Sequence, residues 1–333
     1  SKGAGKRAFR LPVSLKGATM LAQQVFNGLA LGMGYALIAV GYSLVFGILR
    51  LVNFSHGSIY AFGAEIAMVF IVSMKFGIVP GILLSMLVTG VLGIMIDKIA
   101  LEPLRKKGSP PIASLITTIG ISNIITNLLI VFIGSEKRNF PNIFGYGMIK
   151  LGKVSITLTQ VMMCVVSVVL MLILVFIVFK TKIGLAMRAS QQNAKAAKMM
   201  GIDVNFVISF TFFLAGVSAT LAGALVGGYY EIVWGFFHGN LSAVAAAALD
   251  GAQSALELSL SMAGLKAFAA AVLGGIGSLP GAILGGLIIG VSECMAVTFF
   301  GSTYRDSVAF IILILVLIIR PNGLFGKKGI TKV

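Results

Sequence analysis

Apolar runs of membrane-crossing size alternate along this chain with short polar stretches. A transmembrane helix needs about 20 mostly apolar residues. The candidate runs are roughly 21–48, 55–75, 78–97, 112–133, 157–179, 205–229, 280–300 and 306–319. A further run, 263–276, is short and glycine-rich and reads as a half-helix. The pattern predicts an all-α fold: a polytopic transmembrane helical bundle of about 8–9 membrane segments, one of them broken or half-length. The clearest polar interruption is KTKIGLAMRASQQNAKAAKMMGIDVN, residues 180–205. Within it, Ser190 to Met200 reads as one short helix rich in Ala, Lys, Gln and Met. Gly201 stops that helix.

Composition agrees with a membrane protein. The chain is 58% hydrophobic and only 11% charged, against about 25% charged in an ordinary soluble domain. The net charge of +16 does not point to nucleic acid, because no soluble basic domain carries it. The cations sit in short loops: Lys98, Arg105, Lys106 and Lys107; Lys180, Lys182, Arg188, Lys195 and Lys198; Arg320, Lys327, Lys328 and Lys332, with Arg50 beside them. Such groups mark the cytoplasmic side. Nine segments put them there, with residues 134–154 and 230–262 outside. The tail 1–19, with Lys2, Lys6, Arg7, Arg10 and Lys16 and no acids, conflicts with that count and reads as a basic extension. Cys164 and Cys294 both fall inside spans, so no disulfide framework is expected. The chain has no P-loop, HExxH or nucleophile elbow. Energy other than an ion gradient must then come from a partner, and the residues call for no cofactor or metal.

Three stretches carry a family resemblance. QQVFNGLALGMGYALIAVGYSLVFGILRLVNFSHGSIY (23–60) resembles the opening of the LivH-type permease subunits of branched-chain amino acid ABC importers. GLAMRASQQNAKAAKMMGID (184–203), followed by AGVSATLAGALVG (215–227), resembles that family's coupling region. GLKAFAAAVLGGIGSLPGAILGGLIIGVSE (264–293) is close to its most distinctive motif. The resemblance implies a permease domain over 20–326, with a cytoplasmic coupling loop at 180–205 and a cytoplasmic tail at 327–333. It implies that Gly184, Arg188, Lys195, Ala196, Ala197 and Gly201 serve ATPase coupling, Lys195-Ala196-Ala197 and Gly201 keeping the spacing of the general loop consensus with Lys in place of Glu. The implied partners are a second, related permease subunit, two cytoplasmic ATPase subunits, an external solute-binding protein and the lipid bilayer of the cell inner membrane. Residues 231–262 depart from the family pattern as an external insertion, in which Ser242–Leu260 suits an amphipathic helix.

Other residues have a structural and a functional reading side by side. Gly28 and Gly32, Gly223 and Gly227, and Gly281 and Gly285 stand four apart, the spacing that lets helix backbones approach in lipid. The GGIGSLPG stretch, with Gly277 and Ser278, breaks a helix, as does NFSHG, with Asn53 and His56. Such breaks either turn at the membrane face or line a translocation path. Glu65 lies well inside an apolar run and must face protein or water, with Asn123 or Asn127 as candidate hydrogen-bond partners. Asp97 and Glu293 lie nearer span ends and read as solvated. Thr118, Ser122 and Thr126 form one row of a polar stripe suited to interhelical bonding. Asn123 and Asn127 form the adjacent row and are assigned to the path.

The substrates this implies are branched-chain or other apolar amino acids, with urea and short amides as alternatives. An ion-coupled secondary transporter is the alternative mechanism, although inverted repeats and an acidic ion site are not evident. An intramembrane enzyme lacks any paired-Asp, HExxH or Ser–Lys arrangement.

Overall fold

Lipid offers no partner to backbone N–H and C=O groups, so the apolar runs close their hydrogen bonds internally as helices. The computed structural model describes residues 13–133, 140, 144–145, 147–151, 154–230, 253–301, 304–320 and 322–326. Helix α1 spans Val13–Leu49 and α2 His56–Met68, the latter continuing into a π-helical turn, Val69–Ser73. Helix α3 is Ile78–Ile96, α4 Glu102–Lys106 and α5 Pro111–Ile133. A hairpin of β1 (Met148–Leu151) and β2 (Val154–Thr157) follows, with Met148 opposite Thr157. Then come α6 (Leu158–Lys180), α7 (Lys182–Gln192), α8 (Ala194–Met199) and α9 (Val204–Tyr230). The last three are α10 (Gln253–Gly274), α11 (Leu279–Phe300) and α12 (Arg305–Ile319). Among the described residues, seven helices are long and apolar enough to cross a membrane. Two further segments are shorter: Gly264–Gly274 and the 15-residue α12.

The bundle is built on a close seam between α1 and α11. A side chain at Gly28 would meet the Val291 backbone, and one at Gly32 the Leu287 backbone. Gly286 and Gly290 press in the same way on Ala36 and Gly32. Helix α9 is buried beside α1, α2 and α3, with Gly223 on the Tyr60 carbonyl and Gly227 also buried. Where lipid replaces water, small residues let dispersion contacts hold helices together. Helices α5 and α6 instead show apolar side chains outward, among them Val131, Phe132, Leu172 and Phe176.

The two ends of the bundle differ in chemistry. At one end, Gln23 bonds the main chain of β2 twice, at a polar junction. Its amide nitrogen donates to the Ser155 carbonyl (2.8 Å) and its oxygen accepts from Ser155 N–H (3.0 Å). Gln160 joins it by donating to Asn27 Oδ1 (2.9 Å) and to Tyr229 Oη (3.3 Å). The cationic loops gather at the other end. Gln191 of α7 lies against Gly47 and Gly277, and Asp97, paired with Arg105, accepts from Ser209 near the start of α9 (2.7 Å).

Several expectations change. The polar loop holds two helices rather than one, because Asn193 leaves helical geometry and caps α8: its Oδ1 accepts from Lys195 and Ala196 N–H, both at 3.1 Å. Asp97 and Glu293 are both fully buried, not solvated. The hairpin was not anticipated. In the 231–262 insertion, residues 231–252 lie outside the described set, while Gln253–Leu260 continues directly into the rest of α10.

Candidate functional site

The first helix break lies deep in the bundle. His56 Nε2 is 3.2 Å from the Ile38 carbonyl oxygen, which can only accept, so Nε2 carries the hydrogen. Ile38 is roughly 16 Å in from the end of α1, at about 1.5 Å of rise per residue. Gly57 touches Gly264, about 15 Å in from the end of α10 by the same rise. The irregular segment before α2 therefore re-enters the bundle. Its backbone is satisfied by side chains: Asn53 Oδ1 accepts from Ser55 N–H (3.1 Å) and Ser55 Oγ (2.6 Å), and Thr118 Oγ1 of α5 accepts from Phe54 N–H (3.3 Å). Asn53 and His56 are both buried. The His56 ring packs edge-on against Tyr42, with centroids 4.6 Å apart, and Phe268 lies within reach of both Tyr42 and Phe54.

Helix α5 presents its polar stripe in two ways. Thr118 serves the deep turn, and Ser122 Oγ lies 2.5 Å from Ser58 Oγ of α2. The adjacent row turns away: Asn123 is half-buried and Asn127 exposed. The Asn127 amide donates to the Asn123 carbonyl (2.8 Å) of its own helix rather than to Glu65, which is buried in α2.

The second break, at Gly277–Ser278, is a turn at the cationic end. Ser278 caps α11 by accepting from Gly281 N–H (3.3 Å). Gly281 and Gly285 lie against the Gly274 and Ala270 carbonyls of α10, leaving no room for a Cβ. The segment after α12 folds over this turn, with Leu324 and Phe325 N–H donating to the Leu273 and Gly274 carbonyls (2.9 and 3.0 Å). These bonds satisfy acceptors that a helix C-terminus leaves open.

The polar loop is folded tightly onto α6. Thr181 Oγ1 accepts from Gly184 N–H (3.1 Å), and Gly184 sits directly on the Ile177 and Val178 carbonyls. Arg188 folds back over the Phe179 ring, 5.5 Å from its centroid. Gly201 has φ +82° with open space around it, so only its backbone geometry excludes other residues there. Of the adjacent Ala196 and Ala197, Ala197 is buried against the bundle and Ala196 is presented outward, because α8 packs one face on α9. Lys195, Lys198, Met199 and Met200 are exposed with it.

Sequence reasoning missed an ionic cluster. Glu293 of α11 is fully buried, with Lys266 Nζ of α10 at 2.8 Å, Arg305 Nε of α12 at 3.4 Å and Tyr35 of α1 donating its hydroxyl at 3.0 Å. Lys266 also pairs with Asp306, whose side chain reaches the surface. Four helices thus meet on one carboxylate. The available clue was a lysine, Lys266, inside an apolar run, since an intramembrane charge must find a partner.

Residues 24–317 match the family described as the branched-chain amino acid transport system / permease component. The chain belongs to this family. The permease protein BraD of the high-affinity branched-chain amino acid transport system of Pseudomonas aeruginosa is 36% identical over 323 residues, covering 93% of this chain and 97% of its own. The corresponding LivH of Escherichia coli is 34% identical over the same shares. The galactofuranose transporter permease protein YtfT of Escherichia coli is 29% identical over 195 residues, 57% of this chain and 52% of its own. No solved structure matches the chain. In this permease family member, residues 23–60 build the deep turn, 184–203 the polar loop, and 264–293 both the shallow turn and the Lys266–Glu293 pair.

Proposed function

We propose that this chain is the membrane-spanning permease subunit of an ATP-driven importer of branched-chain or other apolar amino acids, working in the cell inner membrane. The observation that carries this is the likeness to BraD and LivH over nearly the whole of both chains. The chain assembles with a second permease subunit, two cytoplasmic ATPases and an external solute-binding protein. Its coupling surface is the polar loop. Lys195, Ala196, Met199 and Met200 face the ATPase, Gly184 and Ala197 seat the loop on the bundle, and Gly201 sets its exit geometry. Arg188, stacked on Phe179 in this form, is placed to pair with an acidic partner residue.

The translocation path follows the polar groups between the two helix breaks, Asn53 and His56 at depth and Gly277 and Ser278 at the cytoplasmic end, with Asn123 and Asn127 on the face toward the second subunit. The close contacts of Gly28, Gly32, Gly223, Gly281 and Gly285, with Gly227 buried beside them, let the helices rock without opening voids. Reconstitution of the complete complex in liposomes tests this: leucine uptake requires ATP and the ATPase subunits. ATP-independent uptake by this polypeptide alone, driven by an ion gradient, contradicts it.

A further inference from the structure

The deep turn holds two buried polar atoms that nothing among the described residues satisfies. Asn53 and His56 are 4% and 1% exposed, and both Asn53 Nδ2 and His56 Nδ1 lack a hydrogen-bond partner. They stand three residues apart at the start of the 13-residue α2, whose N-terminus carries positive partial charge. Their chemistry is complementary. Asn53 Nδ2 can only donate. His56 Nε2 holds its hydrogen toward the Ile38 carbonyl, so the neutral ring leaves Nδ1 as an acceptor. Beside them lies an aromatic wall. Tyr42 is buried, while Phe54 and Phe268 are half-buried and reach the surface of the chain.

We propose that the re-entrant turn at the start of α2 is a binding site for the zwitterionic head of an apolar α-amino acid. The carboxylate takes the Asn53 amide at the positive end of α2. The ammonium donates to His56 Nδ1, and the apolar side chain lies on Phe54 and Phe268. Buried polar groups left unpaired disfavour the closed form, so a ligand that pairs both stabilises a form in which the turn has opened to admit it. A site of this kind reads the two groups that amino acids share and leaves the side chain to an apolar surface. The assignment rests on the amino-acid transport reading above.

The test uses the complete transporter in lipid nanodiscs, without ATP and without the external binding protein. Binding of tritiated L-leucine is followed by scintillation proximity. The wild type binds saturably, and valine competes. 4-Methylpentanoate, lacking the ammonium, and 3-methylbutylamine, lacking the carboxylate, compete about tenfold or more less well, the loss expected for a missing charged hydrogen bond. Asn53→Asp keeps the oxygen that Ser55 uses but replaces the donor with a repelling charge. It binds leucine about tenfold or more less tightly while eluting as the assembled complex. His56→Phe keeps the ring packing on Tyr42 and shows a similar loss; together with the analogue competition it decides the matter if Asn53→Asp does not assemble. Wild-type leucine affinity in an assembled variant, or equal competition by either analogue, overturns the assignment. Absence of saturable binding in the wild type also overturns it, and ATP-driven leucine uptake by that same preparation then shows that the transport reading stands without this site.

Discussion

The two helix breaks look alike in sequence, NFSHG and GSLPG, each a cluster of small and polar residues between apolar runs, yet they fold into opposite surroundings. The second lies at the end of the bundle and is closed locally and by the following segment: the side chain of its own Ser278 caps α11, and the backbone of Leu324 and Phe325 covers the last carbonyls of α10. The first lies well inside the bundle and is closed by side chains, with Thr118 and Asn53 supplying acceptors to Phe54 and Ser55. A surface turn can also lean on water, whereas irregular backbone at membrane depth persists only where protein or a wet cavity satisfies it. The composition of a break therefore does not report its depth. The polar residues on the neighbouring helix do.

Damage at the shallow break is expected to be the most severe. Gly281→Leu places a branched side chain where the Gly274 carbonyl already sits. Because the clash is with main chain, no side-chain shift relieves it, and α10 and α11 must separate to admit the added group. The variant inserts normally but loses uptake and elutes as a dissociated or aggregated species. Normal uptake at normal expression would mean that Gly281 faces open space. The ionic cluster ranks next, since it ties α10 and α11, the helices flanking that break, to α1 and α12. Glu293→Ala leaves two cations without their buried counterion and costs about 3–5 kcal/mol. Pairing Glu293→Met with Lys266→Met recovers much of this in a thermal double-mutant cycle; strict additivity would show that the two residues act independently.

At the deep break, Thr118→Val keeps the side-chain shape but removes the acceptor for Phe54 N–H. Leaving a buried donor unmade costs about 1–3 kcal/mol, read as a lower unfolding temperature in detergent. An unchanged temperature would place the turn in contact with water and erase the contrast between the breaks. The smallest effect is expected about two and a half turns further along α2, where Glu65→Gln keeps size and polarity and retains most transport. Complete loss at normal expression would instead assign α2 a proton-carrying role.

Much of the bundle was readable from sequence because a membrane span needs only composition and length, and runs such as 157–179 and 205–229 supply both. The polar loop was readable for the converse reason: five cations cannot lie in lipid. What escaped depended on partners distant in sequence. Glu293 looked solvated because its depth in the run is modest, but Lys266 lies 27 residues earlier and Arg305 in the following helix. Asp97 looked solvated too, although Arg105 was close at hand. The break at Asn193 was legible in principle, since asparagine before an Ala–Lys run is a good N-cap. The hairpin at 148–157 was not, because two four-residue strands carry little pattern and are held by Gln23, far away in the chain.

ATP hydrolysis in a partner subunit is proposed to reach the translocation path through the polar loop. Gly201→Val opposes the positive-φ geometry at a cost of about 1–2 kcal/mol and adds a side chain on the exposed surface. Arg188→Glu reverses the charge that lies over Phe179. The measurement is binding-protein-stimulated ATPase activity together with leucine uptake in reconstituted complexes of these two variants. Both variants insert normally, lose stimulated hydrolysis and uptake together, and release the ATPase from detergent-solubilised complexes. Wild-type ATPase association and wild-type uptake in both would remove the coupling role and leave residues 180–205 as a solvated loop.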